Sequence, residues 1–203
     1  MSPLAVFVRT LLKTTAIFIG TTAVFLNPTL EFSAAKTAVT ARQSPTEAAI
    51  DALVVALNDT DAGVRRQACI ALGQLGNPRA VPALIEALKD KEIDIRQRAV
   101  VSLGQIGDRR AVPALVSSLK DGDARIRVRA AIALGEMGDL QAVEPLIGAA
   151  RDASADVRRR VVIALGELGD ARALPALTAA IKDEDASVRR DAVRAIAEIS
   201  GEN

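Results

Sequence analysis

The chain has 203 residues and a formal net charge of +1, with 26 basic and 25 acidic side chains and no histidine. It has no tyrosine or tryptophan, and its four phenylalanines all lie within the first 32 positions. Nucleic-acid binding needs an excess of positive charge and rings on which bases stack, so we expect no nucleic-acid partner.

The amino-terminal segment has the order of a secretory signal. Arg9 and Lys13 precede an uncharged apolar run from Ala16 to Leu26, and the small residues Ser33 and Ala35 follow it. A basic region, a short apolar core and small residues for the peptidase are typical of export signals, so we expect cleavage after Ala35. Two alternatives stay open: an uncleaved membrane anchor, although the run is short for a span, and a misleading start.

This reading predicts a periplasmic or secreted protein that has lost residues 1–35. If that segment stays attached, it anchors the protein in a membrane, and we expect no other membrane contact. Residues 36–45 are predicted to form a flexible linker to a domain over residues 46–200.

A period of 31 residues runs through that domain. A half unit is predicted at residues 46–60, four full units at 61–184 and a capping helix at 185–200. A fixed period of this length indicates a solenoid, in which each unit buries its apolar face against its neighbours. The predicted fold class is therefore an all-α solenoid of antiparallel helix pairs. The Leu-Gly pair that marks the period has its glycine at Gly73, Gly104, Gly135 and Gly166.

Each unit is predicted to hold two helices joined by a short turn. In the unit at residues 61–91, apolar side chains follow helical spacing, and Gly73 and Gly76 are expected to end this first helix. Asn77 is expected to cap the second helix. In the following units the capping position holds Asp108, Asp139 and Asp170.

The ends of the stack are predicted from residues that break the pattern. One apolar register, expected to be buried between units, holds Ile70, Val101, Ile132 and Ile163. Arg194 takes this register in the last helix, so Arg194 and Asp191 are expected to form a polar cap. The half unit at 46–60 has no first helix before it and is expected to be open on its outer side. We expect a monomer.

An aspartate lies six positions before an arginine in every unit. The aspartate falls between helices and the arginine in the first turn of the next helix, so we predict a structural ladder that joins neighbouring units. A row of anion-binding sites is less favoured, because each arginine already has a local carboxylate. The predicted pairs are Asp59 with Arg65, Asp90 with Arg96, Asp121 with Arg127, Asp152 with Arg158, and Asp183 with Arg189.

The units share the pattern D-x-x-x-x-V-R-x-x-A-x-x-A-L-G-x-L-G-D-x-R-A-V-P-A-L, which is clearest from Asp121 to Leu146 and from Asp152 to Leu177. This pattern resembles HEAT-like repeats of the phycobilisome-lyase type over about residues 46–199. The resemblance implies antiparallel helix pairs stacked in a right-handed superhelix, with the second helices on the concave side. It also implies a structural role for the aspartate–arginine ladder.

The resemblance leaves two classes of function open. Some proteins of this type resemble enzymes that attach bilin pigments to antenna proteins, and many others are adaptors or scaffolds. A related helical-repeat enzyme holds iron through His-Glu pairs, which a chain without histidine cannot form. We therefore expect a non-enzymatic interaction scaffold, with a bilin lyase subunit or pigment-protein chaperone as the alternative.

Few residues suggest catalysis or metal binding. Without histidine, a nucleophilic Ser or Cys lacks its usual base, and one cysteine cannot complete a zinc site. Cys69 shares its register with Val100, Ala131 and Val162, so we expect it in the core. We predict no catalytic residues, no metal and no cofactor.

The exposed side of the second helices is the predicted binding surface. Small side chains at its centre allow a partner helix or peptide to approach closely, and arginines along one edge can contribute binding energy. We therefore predict that another protein or peptide binds there. The predicted contact residues are Arg79, Glu86, Arg110, Ser117, Ser118, Gln141, Glu144, Gly148 and Arg172.

Overall fold

A computed structural model of the chain describes residues 45–201, and this part consists of helices, turns and loops without strands. The all-α repeat of helix pairs predicted from the sequence is confirmed. The predicted signal at 1–35 lies outside the described residues, and so does the predicted linker except for Pro45, which begins the first helix. The helices are α1 (Pro45–Ala56), α2 (Ala62–Leu75), α3 (Val81–Ala87), α4 (Ile93–Ile106), α5 (Val112–Ser118), α6 (Ala124–Met137), α7 (Val143–Ala149), α8 (Ala155–Leu168), α9 (Leu174–Ala180) and α10 (Ala186–Ser200).

Each unit consists of a long helix, a three-residue 3₁₀ turn and a short helix. The long helices α2, α4, α6 and α8 each have 14 residues, and the short helices α3, α5, α7 and α9 each have seven. The predicted capping residues lie where the sequence places them, because Asn77 Oδ1 accepts a hydrogen bond from Arg79 N at 2.9 Å. They cap the 3₁₀ turn that leads into the short helix.

The two glycines of each unit have different roles. Gly76 ends α2 with a φ of 62°, a left-handed conformation that glycine adopts at little cost. Gly73 was expected to end the helix as well, but it lies inside α2. Its register instead lets the next long helix approach: a Cβ atom on Gly104 would lie 2.9 Å from the Cβ atom of Ala133 in α6.

The two layers of helices are spaced differently. Successive long helices pack against one another along their length, whereas a short helix meets the next unit mainly at its 3₁₀ turn. The expectation that the second helices line the concave side stays a prediction.

Burial corrects the expectation for the ends of the stack. The register of Ile70 is half-exposed in every unit and is not a buried contact between units, so Arg194 does not replace a core residue. The buried register is the one that holds Cys69, and its last member, Val193, is 56% exposed. Asp191 is buried and holds Arg159 through an ion pair of 2.7 Å. Arg194 and Asp191 do form an ion pair of 3.1 Å in the last helix, as the predicted polar cap requires, but the uncovered position of the Cys69 register beside them is apolar.

Candidate functional site

Within residues 45–201, four arginine–aspartate ion pairs in one register form a ladder between each long helix and the loop that leads into the next long helix. In one of them, Arg158 donates from Nε to Oδ2 of Asp183 at 2.8 Å and from Nη2 to Oδ1 at 2.9 Å. Its Nη1 donates to the main-chain oxygen of Asp152 at 3.0 Å. These bonds lower the pKa of the Asp183 carboxyl group, chiefly because Arg158 donates to it. The other three pairs are Arg65 with Asp90, Arg96 with Asp121, and Arg127 with Asp152.

The ladder has different partners from the predicted ones. Each of the first four arginines reaches the carboxylate 25 positions ahead, in the loop before the next long helix, and bonds only the main-chain oxygen of the aspartate six positions before it. The main-chain oxygen holds Nη1, so the Nε and Nη2 edge of the guanidinium group faces the loop before the next long helix. At the two ends, Asp59 offers its main-chain oxygen to Arg65, and Arg189 donates to the main-chain oxygen of Asp183.

The arginines of the predicted binding surface are all engaged by nearby carboxylates. Arg110 Nη2 lies 2.6 Å from Asp108 Oδ2, and this contact lowers the pKa of the Asp108 carboxyl group to about 2. Arg172 binds its own capping residue in the same way, at 2.7 Å. Arg79 instead pairs with Glu47 of α1 at 3.1 Å. Exposed pairs of this kind contribute little to stability, so a partner can displace them.

The other predicted contact residues divide between the surface and the interior. Glu86, Gln141 and Glu144 are exposed on the second-helix side. Ser117 is exposed and donates its hydroxyl to the main-chain oxygen four residues earlier. Ser118 makes the same bond but is buried, so its hydroxyl is not offered to a partner.

Gly148 lines an open cleft of about 600 Å³ between α5 and α7. Gly148 takes the register that holds Glu86 and Ser117 in the preceding units, and it places no side chain at the cleft. The lining includes both apolar side chains and exposed cations. A partner segment with an apolar side chain next to a carboxylate therefore fits the cleft. The lining residues are Val116, Leu119, Lys120, Asp121, Arg127, Pro145, Gly148, Ala149, Arg151 and Asp152.

Sequence reasoning missed a second set of arginines, on the long helices. Arg98, Arg129 and Arg160 take the same register in α4, α6 and α8, and all three are exposed. The sequence did contain a signal for this surface. The register of Arg98 is polar in every unit, and the register three positions later is apolar in the first four units. The signal was overlooked because that apolar register was assigned to the core.

Cys69 is fully buried, and burial raises the pKa of its thiol from 9.0 to about 11. Only the thiolate reacts with disulfide reagents. At about pH 8 we therefore expect labelling by a disulfide reagent to be roughly a hundredfold slower in the folded protein than in denaturant. Equal rates of thiol release in the two states, followed by absorbance, would contradict this burial.

Residues 45–201 contain neither a metal-binding cluster nor a membrane-spanning helix. Within residues 45–201, no three His, Cys, Asp or Glu side chains lie close enough together to hold a metal ion. None of the helices in the same range is long and apolar enough to cross a membrane.

Comparison of the sequence with protein families gives one result. The profile of HEAT repeats matches residues 31–97, 81–156 and 143–203. The chain belongs to the HEAT repeat family. Among curated proteins, none matches the chain significantly.

Several solved structures share the fold of this HEAT repeat protein. The complex of CpcE and CpcF of phycocyanin lyase from Nostoc sp. PCC7120 is 23% identical, with 93% of this chain and 70% of that chain covered and a TM-score of 0.66. An engineered protein is 22% identical, with 83% and 84% covered and a TM-score of 0.55. A designed armadillo repeat protein in complex with the peptide (KR)4 is 20% identical, with 75% and 82% covered and a TM-score of 0.57. At these identities the similarity shows the fold alone.

Proposed function

We propose that this HEAT repeat protein is a non-enzymatic scaffold that binds another protein along the second-helix side of its stack. The observation that carries the proposal is the cleft at Gly148, where the regular repeat opens a space of about 600 Å³. HEAT repeats typically bind proteins, and an open cleft with an apolar lining suits an anchoring side chain of a partner.

The charges around the cleft define the partner further. Lys120 and Arg151 are exposed and make no ion pair within residues 45–201. Arg110 and Arg172 are exposed, and each is held by its capping aspartate and by one main-chain oxygen. A partner segment with an apolar anchor and flanking carboxylates satisfies these groups, and we propose that such a segment binds along this side.

The proposal includes export, because residues 1–35 have the order of a secretory signal. The partner is then a periplasmic or secreted protein. The intact mass of the protein recovered outside the cytoplasm tests this part separately: loss of residues 1–35 supports a cleaved signal, and a mature chain that still carries Met1 contradicts it.

Replacing Gly148 by Leu tests the cleft. A Cβ atom at Gly148 meets no other atom within 4 Å, so the larger side chain fills the cleft without disturbing the fold. We expect the Gly148→Leu variant to lose at least about nine-tenths of a partner captured from host extracts, since a filled pocket excludes the anchoring group. The capture is read by mass spectrometry.

Ala179 gives a matched control, because it takes the same register in α9 and is also exposed. The Ala179→Leu variant should retain the partner. Equal capture by wild type and both variants would contradict binding at the cleft. A captured pigment protein from cytosolic extract, together with an absorbance change on mixing with bilin, would instead support the bilin-lyase alternative.

A further inference from the structure

Three arginines on the long helices lie outside the ladder. Arg98, Arg129 and Arg160 form no ion pair or hydrogen bond with any residue in the part of the chain that the structure describes. Arg96, Arg127 and Arg158, two positions earlier in the same helices, are each bound to the aspartate in the loop before the next long helix. The long helices therefore separate their arginines into a structural set and a set whose donors are free.

A row of apolar side chains lies directly beside the free arginines. Val101, Ile132 and Ile163 follow them by three positions, which places both rows on one face of the long helices. These side chains are half-exposed, although β-branched apolar residues favour burial. Apolar side chains left half-exposed in the same register of three successive helices form a continuous stripe on the surface.

A third row completes the face four positions further on. Gln105, Glu136 and Glu167 lie there, on the opposite side of the stripe from the arginines. Burial and then the neighbouring Glu136 raise the pKa of the Glu167 carboxyl group, so a cation placed beside this row would relieve repulsion. We call the three rows together the long-helix face.

The long-helix face also contains a cleft. A cleft of about 420 Å³ lies on it between α6 and α8, and its lining includes Arg129, Ile132 and Arg160. An apolar side chain that enters this cleft contacts Ile132 and lies beside two free guanidinium groups. The long-helix face lies on the long helices, whereas the cleft at Gly148 lies between two short helices. The two surfaces can therefore be tested independently.

The spacing of the rows selects the conformation of the occupant. Packed helices lie about 8–10 Å apart, and seven residues of an α-helix rise about 10 Å and return to the same face. In a β-strand, residues on one face repeat at about 7 Å and 13 Å, which does not match that spacing. In a helix with an acidic residue at every seventh position, the spacing of the acidic residues matches the spacing of the three arginines.

We propose that the long-helix face binds an amphipathic helix of another protein. The apolar stripe of that helix packs on Val101, Ile132 and Ile163, and its acidic edge pairs with Arg98, Arg129 and Arg160. Its other edge is basic or amidic and meets the row of Gln105, Glu136 and Glu167. A nucleic acid fits this face less well, because the glutamates repel phosphate groups.

A synthetic peptide tests this proposal with the full chain. The probe is a helix of about three heptads with a leucine stripe, glutamate at every seventh position on one edge and lysine on the other. Its dissociation constant is measured by fluorescence anisotropy at low salt. Changing Arg98, Arg129 and Arg160 together to Gln should weaken binding by at least about tenfold, because three charge pairs are lost while the apolar contacts remain.

Matched controls separate this face from general charge attraction. The triple change Arg79→Gln, Arg110→Gln and Arg172→Gln removes the same charge from the second-helix side, and we expect it to leave the peptide affinity within about twofold. A peptide with glutamine in place of glutamate should bind about tenfold more weakly than the probe. These three results together would support the proposal.

Four results would overturn the proposal. They are no detectable binding of the probe, an equal effect of the two triple variants, equal binding of a probe with a central proline that breaks its helix, and tighter binding of a DNA duplex than of the probe. None of these outcomes bears on the cleft at Gly148, because the Gly148→Leu variant leaves the long-helix face unchanged.

Discussion

Replacing Arg158 by Met should lower the free energy of unfolding by about 3 kcal/mol, the loss expected when one partner of a buried ion pair is removed. The Arg158 and Asp183 side chains are only 9% and 11% exposed. The variant leaves the Asp183 carboxylate without its counterion and the main-chain oxygen of Asp152 without its donor. Urea denaturation followed by circular dichroism measures the change.

The position of Arg158 in the stack predicts where unfolding begins. Each unit is stabilised by its neighbours. The ion pair of Arg158 and Asp183 connects α8 to the loop before α10. Hydrogen exchange should therefore rise first in residues 184–200 of the variant, while α4 and α6 stay protected. Uniform loss of protection across the stack would contradict a local role for this ion pair.

Two control variants isolate the ion pair. Arg160→Met removes an exposed arginine of the same helix and should change stability by less than about 0.5 kcal/mol. Adding Asp183→Asn to Arg158→Met removes the buried charge but keeps an acceptor for Asp185 N, so it should recover part of the loss. If Arg160→Met costs as much as Arg158→Met, the ladder is not the cause.

The ion pair of Arg158 and Asp183 also predicts that the free energy of unfolding depends on pH. Because Arg158 donates to it, Asp183 has a lower pKa in the folded state than in the unfolded chain. Its contribution to stability is therefore present above the unfolded pKa of about 4 and is lost as the pH falls through the lower folded pKa. The difference in stability between wild type and Arg158→Met should narrow below about pH 4.

The sequence allowed the helix pairs to be predicted because their signals are local. Asn77 before a proline, and a glycine at the end of each long helix, act within a few residues of their own position. The register of Cys69 was also readable, since cysteine alternates there with Val and Ala from unit to unit. These features depend on helix geometry and not on how the units face one another.

Contacts between units were harder to predict. A repeat offers each arginine two aspartates, one six positions before it and one 25 positions after it, and the sequence does not distinguish them. The structure selects the second because the main-chain oxygen of the first holds Nη1. The burial of the Ile70 register was misjudged for a related reason, since helical spacing alone does not show which side a neighbouring unit covers.

The partners of the surface arginines were also not predicted from the sequence. The sequence identified Arg79, Arg110 and Arg172 as contact residues, but the structure gives each of them a carboxylate partner. Arg98, Arg129 and Arg160 resemble them in sequence and have no partner within residues 45–201. Arg110 and Arg172 bind the capping aspartate two positions before them, a pairing that the sequence could have indicated, whereas the partner of Arg79 lies 32 positions away.

Replacing Gly166 by Ala should destabilise the protein by about 2 kcal/mol, although alanine is the better helix former. Its Cβ atom would lie 2.8 Å from the Cβ atom and 3.0 Å from the Cα atom of Ala195, so α8 and α10 must move apart. The side chain of Glu198 also lies close but can turn away, whereas the main chain of α10 cannot. Urea denaturation measures the loss.

Gly148→Ala is the matched control for this packing argument. A Cβ atom there meets no other atom within 4 Å, so only the helix propensity changes, and stability should rise by about 0.5–1 kcal/mol. The same substitution therefore has opposite signs at two helical glycines of one chain. A stabilising Gly166→Ala would show that α8 and α10 do not approach as closely as the contact of Gly166 with Ala195 indicates.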